Sequence, residues 1–455
     1  MSIKHFKIKY VLIYNYILDF FVTYLWEGKM TNSKNPETIA LHAGWRKDAT
    51  TNSVAVPIHQ TTSFQFNDTD HAANLFALSE LGNIYSRIMN PTCDVLEQRV
   101  AAMEGGVGAL AVASGQAASA FAIQNLCVAG DNFVASSHLY GGTYNQFKNP
   151  FSDMGIEVRF VDPSDPQNFL NATDEKTRAY YGEVLPNPSF EVFPIKEVAD
   201  LGRPLGIPLI VDNTAAPIIC RPFDHGASIL LHSTTKFIGG HGTSIGGILV
   251  DSGNFDWEKH PDRQPKLNQP DPSYGGAVWT EAVKPLGPIA YILKARVTLL
   301  RDMGGAMSPF NAFMFIQGLE TLPLRMREHS SNAGKVVEFL KGHNKVERVI
   351  YPSEVAQDRA EKYLSGGHGG LMGFEINGGR ESGKKFIDSL EMVYHVANIG
   401  DSRTLAIHPA TTTHSQLSET ELLSAGVTPG FVRLSIGLEH IDDIIADLDQ
   451  ALAKA

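Results

Sequence analysis

Cysteine is scarce in this chain. Cys93, Cys127 and Cys220 are the only three in 455 residues, odd in number and nowhere in C-x-x-C spacing, which argues against a disulfide framework or a zinc site and suits a reducing, cytoplasmic setting. Charge is also thin: 19% of residues are charged, the formal net charge is -11, and no run of lysines or arginines could follow a phosphate backbone. Nucleic acid is therefore not expected as a partner. Internal repeats and low-complexity tracts are missing, which removes solenoids and disordered scaffolds from consideration. Long apolar runs are nearly missing too. The one candidate, "YVLIYNYILDFFVTYLW" over residues 10–26, is shorter than the ~20 residues of a spanning helix and has Asp19 near its middle. Trp26, Glu27 and Lys29 stand where a small-residue cleavage site would be needed. Residues 1–29 are expected to be an extension outside the fold, with Met30 as the working start and no membrane association.

What is present is an ordinary globular composition, 43% hydrophobic, in a chain long enough for two or more domains. Residues 30–90 hold many turn formers and little periodicity, so they read as an extended N-terminal arm. Asn90 and Pro91 suit a helix start, Val95, Leu96, Val100 and Met103 repeat at helical spacing, and Gly105 and Gly106 stop the pattern. Short apolar runs then alternate with helical or turn segments: "GALAVAS", "NFVASS", "GIEVRFV", "RAYYGEV", "IPLIVDN", "ASILLHS" and "GGILVDS". Strands buried on both faces read this way. The expected fold is α/β, a mostly parallel central sheet with helices on both faces over residues 91–295, followed by a smaller C-terminal α/β domain over 296–455. Residues 252–290 are rich in Pro, Gly and Asp and read as a surface excursion, and Pro309 and Pro323 are expected to break the helical stretch after it.

In a sheet of this kind ligands sit beyond the carboxyl ends of the strands. Three predicted strand ends carry polar groups. "SGQAASA" places Gly115 and Gln116 at a helix start, where free backbone N–H groups attract an anion. "VDNT" adds Asp212 and Thr214, and "HSTTKFIGGHG" adds Ser233, Thr235 and Lys236. An anion cradle, a carboxylate for a pyridine nitrogen and an amine for a Schiff base are what pyridoxal 5'-phosphate requires. Each element alone is commonplace turn chemistry. A serine nucleophile with His232 or His241 stays open but lacks a G-x-S-x-G elbow, and zinc on those two histidines has no third ligand close in sequence.

From "TIALHAG" near residue 38 to the C-terminal helix, these motifs resemble the Cys/Met-metabolism enzymes of the fold-type I pyridoxal-phosphate class. The resemblance implies that Lys236 carries the cofactor and acts as the base, that Asp212 keeps the ring nitrogen protonated, and that Tyr140 of "LYGGT" stacks on the ring. It implies phosphate ligands at Gly115, Gln116, Ser233 and Thr235, with Thr214 beneath the ring. Tyr85 and Arg87 of "YSRIMNPT" would reach the phosphate of a neighbouring subunit, so the active sites would be shared within dimers, themselves paired into a homotetramer. Asn187 of "LPNP", Arg433 of "RLSIGLE", and Asn398 and Arg403 of "NIGDSRTLAIHPA" would orient the substrate; Glu183 is a weaker assignment. The resemblance of the last motif implies γ-replacement on an amino-acid ester, O-acetylhomoserine, with sulfide giving homocysteine, or another thiol giving the corresponding thioether. Cystathionine γ-synthase and γ-lyase chemistry on the same scaffold remain the alternatives.

Overall fold

A strand whose alternate side chains all reach apolar surroundings must lie in the middle of a three-layer sandwich. The computed structural model describes residues 33–77, 80, 82–412 and 428–455; the expected extension at 1–29 and the start at Met30 lie outside the described residues. Seven strands, β1 Gly108–Val112, β2 Asn132–Ser136, β3 Glu157–Val161, β4 Thr177–Glu183, β5 Leu209–Asp212, β6 Ile229–His232 and β7 Gly247–Asp251, form one sheet. Ala109, Val134, Val211, Leu230 and Val250 face one apolar layer, while Leu110, Phe133, Ile210, Leu231 and Leu249 face the other. The helix Pro91–Glu104 fills the first layer and Gly115–Gln124 the second. Each large side chain so buried contributes roughly 1.5–3 kcal/mol. The first helix begins and ends as its sequence dictates: the Asn90 side chain accepts from the Thr92 amide at 3.0 Å, and Gly105 leaves it at φ 80°.

The strand order is β1-β7-β6-β5-β4-β2-β3, parallel except for β7, which is antiparallel to both neighbours. Its direction follows from its connection. Residues 233–246, which join it to β6, contain no helix, so nothing makes the helical crossover by which a parallel return is usually made. Because β1 and β6 are both antiparallel to β7, the carboxyl ends of β1, β2, β4, β5 and β6 open on one edge. The second sheet, β10-β11-β12-β9-β8, is built from β8 Val346–Ile350, β9 Leu371–Ile376, β10 Tyr394–His395, β11 Leu405–Ile407 and β12 Phe431–Ser435. It packs through Phe374 and Leu434 on Val336 and Leu340 of the helix Leu322–Lys341, and on Ile444 and Leu448 of the last helix, Ile441–Lys454.

Two expectations need correction. The arm is not extended throughout, since it holds the helices Pro36–His42 and Thr69–Phe76. Residues 252–290 are not a surface excursion alone: Leu267 and Trp279 are buried, and the Trp279 indole donates to Asp271 at 2.8 Å. Pro309 and Pro323 do mark breaks in the helical stretch: each stands in the first turn of a new helix, Pro309–Glu320 and Leu322–Lys341, where the missing N–H costs nothing.

Asp251 closes β7 in the apolar layer. One carboxyl oxygen accepts from the Gly253 amide at 2.9 Å and the other is buried without a partner. Burial pushes its acid form up to about 7. The fold thus favours neutral Asp251, a contribution complete below the ordinary carboxylate range and lost as pH rises through about 7. Asp251→Asn is expected to raise stability by about 1–3 kcal/mol at pH ~8 and by little at pH ~4, read from denaturant unfolding at the two pH values. Equal effects at both would contradict the assignment.

Candidate active site

The helix beginning at Gly115 is pressed against the loop after β6. A Cβ on Gly115 would lie 2.6 Å from Ser233 Cβ, and one on Gly247 would lie 2.1 Å from the Ser114 carbonyl oxygen, so neither position admits a larger residue without moving backbone. The Ser114 hydroxyl accepts from the Ala117 amide at 3.1 Å and orients the first turn toward the same edge. The Ser233 amide donates to Thr214 Oγ1 at 2.7 Å, and the Thr214 amide donates to Asp212 Oδ1 at 2.8 Å. Gln116 Nε2 donates to Thr143 Oγ1 at 3.3 Å. Thr235 closes the loop itself, donating to the Gly246 carbonyl at 3.2 Å and accepting from its amide at 3.1 Å. Gly115, Gln116, Asp212, Thr214, Ser233 and Thr235 therefore converge through contacts within and between neighbouring strand ends.

Lys236 follows in the same loop. Its Nζ donates to Asn398 Oδ1 at 2.6 Å, and the Asn398 carbonyl accepts from Arg433 Nη2 at 2.7 Å. One asparagine of the small domain thus joins an amine of the large domain to a guanidinium on β12. Burial and the Arg433 charge lower the lysine to about 8, so near neutral pH a usable fraction is free amine. Arg433 is 7% exposed, burial lowers it to about 10, and its Nε is buried with no partner. A buried guanidinium donor without an acceptor suits a carboxylate.

Glu183 and Asp212 are in register on β4 and β5. Burial raises both carboxyls, Glu183 more strongly because Asp212 lies beside it, whereas hydrogen bonds from Thr214 and the nearby His232 hold Asp212 back. Glu183 Oε1 accepts from the Tyr140 amide at 2.8 Å, fixing the residue that heads the helix Gly141–Lys148. The Tyr140 side chain stays half exposed at the edge.

Other expected residues stand apart from this network. Arg87 lies over the Tyr85 ring at 5.4 Å, both exposed on the arm. Arg403 donates to Asp401 at 2.9 Å and to the His241 carbonyl at 3.0 Å, beside the loop of Lys236 but not on its amine. Asn187 lies just beyond β4, before Pro188 across a cis bond. His232 is buried with its Nε2 2.8 Å from Glu104 Oε1, and no group of His, Cys, Asp and Glu among the described residues could hold a metal ion. One residue went unnoticed in the sequence. Arg325, buried in the helix Leu322–Lys341, donates to the carbonyls of Phe237 at 2.7 Å, Ile238 at 3.1 Å and Gly318 at 2.7 Å, clamping the turn after Lys236. The only signal was an arginine within an apolar stretch, "LPLRM".

The strand order, the single antiparallel strand and the smaller second sheet place the molecule in the fold-type I class of pyridoxal-phosphate enzymes. The chain belongs to the Cys/Met metabolism PLP-dependent enzyme family, whose model matches residues 37–453. It is 55% identical over 434 residues to O-acetyl-L-homoserine sulfhydrylase of Leptospira meyeri, covering 93% of this chain and 98% of the relative. It is 48% identical over 428 residues to homocysteine synthase of Schizosaccharomyces pombe, covering 93% and 99%. Among solved structures, a Campylobacter jejuni protein described as an O-acetylhomoserine (thiol)-lyase, with N'-pyridoxyl-lysine-5'-monophosphate in its chain, is similar at TM-score 0.88 and 42% identity, covering 92% of this chain and 100% of that one.

Among the described residues no helix is long and apolar enough to cross a membrane.

Proposed function

We propose that the chain catalyses γ-replacement on O-acetylhomoserine: the Cγ–O bond breaks to release acetate, and a Cγ–S bond forms from hydrosulfide to give homocysteine. The relatives named for this substrate and this product span nearly the whole chain. The observation that carries the reading is the line from Lys236 Nζ through Asn398 to Arg433, an amine and a guanidinium with an unpaired Nε donor on either side of one asparagine.

The residues present suit the cofactor. The helix start at Gly115, too close to Ser233 to admit a Cβ, would hold its phosphate together with Gln116, Ser233 and Thr235. Asp212 would serve the ring nitrogen, and Thr214 and Tyr140 would hold the ring. Bound there, pyridoxal 5'-phosphate supplies an electron-accepting ring for charge developing at the substrate Cα. The chain does the rest. Arg433 pairs with the substrate carboxylate through Nε, Asn187 and Arg403 orient the remainder, and Asn398 aims Nζ of Lys236. Lys236, low enough to be partly neutral, takes the Cα proton as general base.

Tyr85 and Arg87, exposed on the arm, are assigned to the phosphate of a neighbouring subunit in dimers that pair into a tetramer. The chain is divided into an arm at 30–90, a cofactor domain at 91–295 and a C-terminal domain at 296–455, a reading supported by the presence of two separate sheets. Three free, buried thiols fit a reducing cytoplasm.

Purified protein with O-acetylhomoserine is expected to yield homocysteine when sulfide is supplied. Faster formation of cystathionine from cysteine, or of 2-oxobutyrate without a thiol, would move the assignment to the synthase or lyase alternatives.

A further inference from the structure

Glu183 takes no part in the chemistry above, yet it touches two groups that do. β4 and β5 are parallel neighbours with Glu183 opposite Asp212, which sets the two side chains on the same face, about 5 Å apart at their bases. Two carboxyls on such in-register neighbours, withdrawn from water, each make ionisation of the other less favourable. The surroundings decide which one keeps its proton. Asp212 accepts from the Thr214 amide at 2.8 Å and has His232 nearby, whereas Glu183, 6% exposed, accepts on Oε1 from the Tyr140 amide at 2.8 Å. The other titratable group facing the pair is Tyr181, two residues earlier on β4; burial and both carboxyls keep its phenol un-ionised. The Thr214 contact and the nearby His232 favour charge on Asp212, and burial beside that charge favours the proton on Glu183.

The same side chain anchors the ring-stacking residue. Tyr140 begins a helix whose first turn its ring overlies: a Cβ on Gly142 would lie 2.5 Å from Tyr140 Cε1. Its backbone is held to β4 by Glu183. One carboxyl thus meets the anion assigned to one edge of the cofactor ring and the backbone of the tyrosine assigned to its face.

We propose that Glu183 is a positioning residue: as the uncharged acid it leaves Asp212 the single anion at the ring nitrogen, and through the Tyr140 amide it holds the stacking tyrosine at the same strand end. The proposal rests on pyridoxal 5'-phosphate binding at Lys236. It assigns Glu183 an effect on the cofactor's seat and not on the substrate.

Two variants test it in the holoenzyme. Glu183→Gln keeps the shape, the acceptor and the neutrality, and is expected to bind pyridoxal 5'-phosphate within about threefold of wild type. Glu183→Leu leaves the Tyr140 amide without its acceptor and is expected to weaken cofactor binding about tenfold. An infrared difference spectrum, wild type minus Glu183→Gln at neutral pH, is expected to show the carbonyl stretch of a protonated carboxylic acid; a role confined to packing would not produce that band. A carboxylate band in its place would overturn the proposal, as would a Leu variant that binds the cofactor as tightly as the Gln variant. Should Glu183→Leu fail to fold, the infrared spectrum of the isosteric variant still decides. A wild-type protein that takes up no cofactor would instead overturn the reading beneath it.

Discussion

Lys236→Ala is expected to lower turnover by about 10³-fold while leaving the phosphate cradle intact. The proposed function gives the amine two duties, covalent attachment of the cofactor and proton transfer at Cα, and no other amine lies on Asn398 among the described residues. Gly115, Ser233 and Thr235 do not depend on Nζ for their contacts, so the variant should still retain cofactor, non-covalently and without the visible absorbance of the lysine-bound form. Steady-state assay and absorbance of the purified variant check both parts. A variant with wild-type spectrum and turnover would remove Lys236 from the chemistry.

Arg433→Lys is expected to raise KM for O-acetylhomoserine by roughly 10- to 100-fold, the loss of one charge-assisted hydrogen bond, with a smaller fall in kcat. A lysine keeps the charge but not the planar fork that lets Nη2 hold the Asn398 carbonyl while Nε faces the substrate. The fall in kcat follows from Asn398, which also orients Lys236. Steady-state kinetics separate the two parameters. An unchanged KM would place the substrate carboxylate elsewhere.

Much of this architecture was legible in local patterns. Strands such as "ASILLHS" and "IPLIVDN" are apolar on both faces, which points to a central sheet, and the Asn90-Pro91 start with its Gly105 stop needs no tertiary information. Lys236, Asp212 and Gly115 were legible because they sit at strand or helix ends, where chain direction alone determines what they face. The missed features depend on partners far along the chain. Arg325 binds carbonyls at Phe237 and Ile238, and Glu183 acquires its role only when β5 sets Asp212 beside it. Trp279 and Leu267 were read as surface because Pro and Gly around them mark turns, and turn residues carry no information about what the turn packs against.

The central claim is that the amine of Lys236 is the cofactor's attachment point. Borohydride reduction of freshly purified protein, followed by digestion and mass mapping, tests it most directly. The account predicts a pyridoxyl phosphate adduct on the peptide containing Lys236 and on no other. An adduct on a different lysine, or none at all on protein that retains its fold, would contradict it.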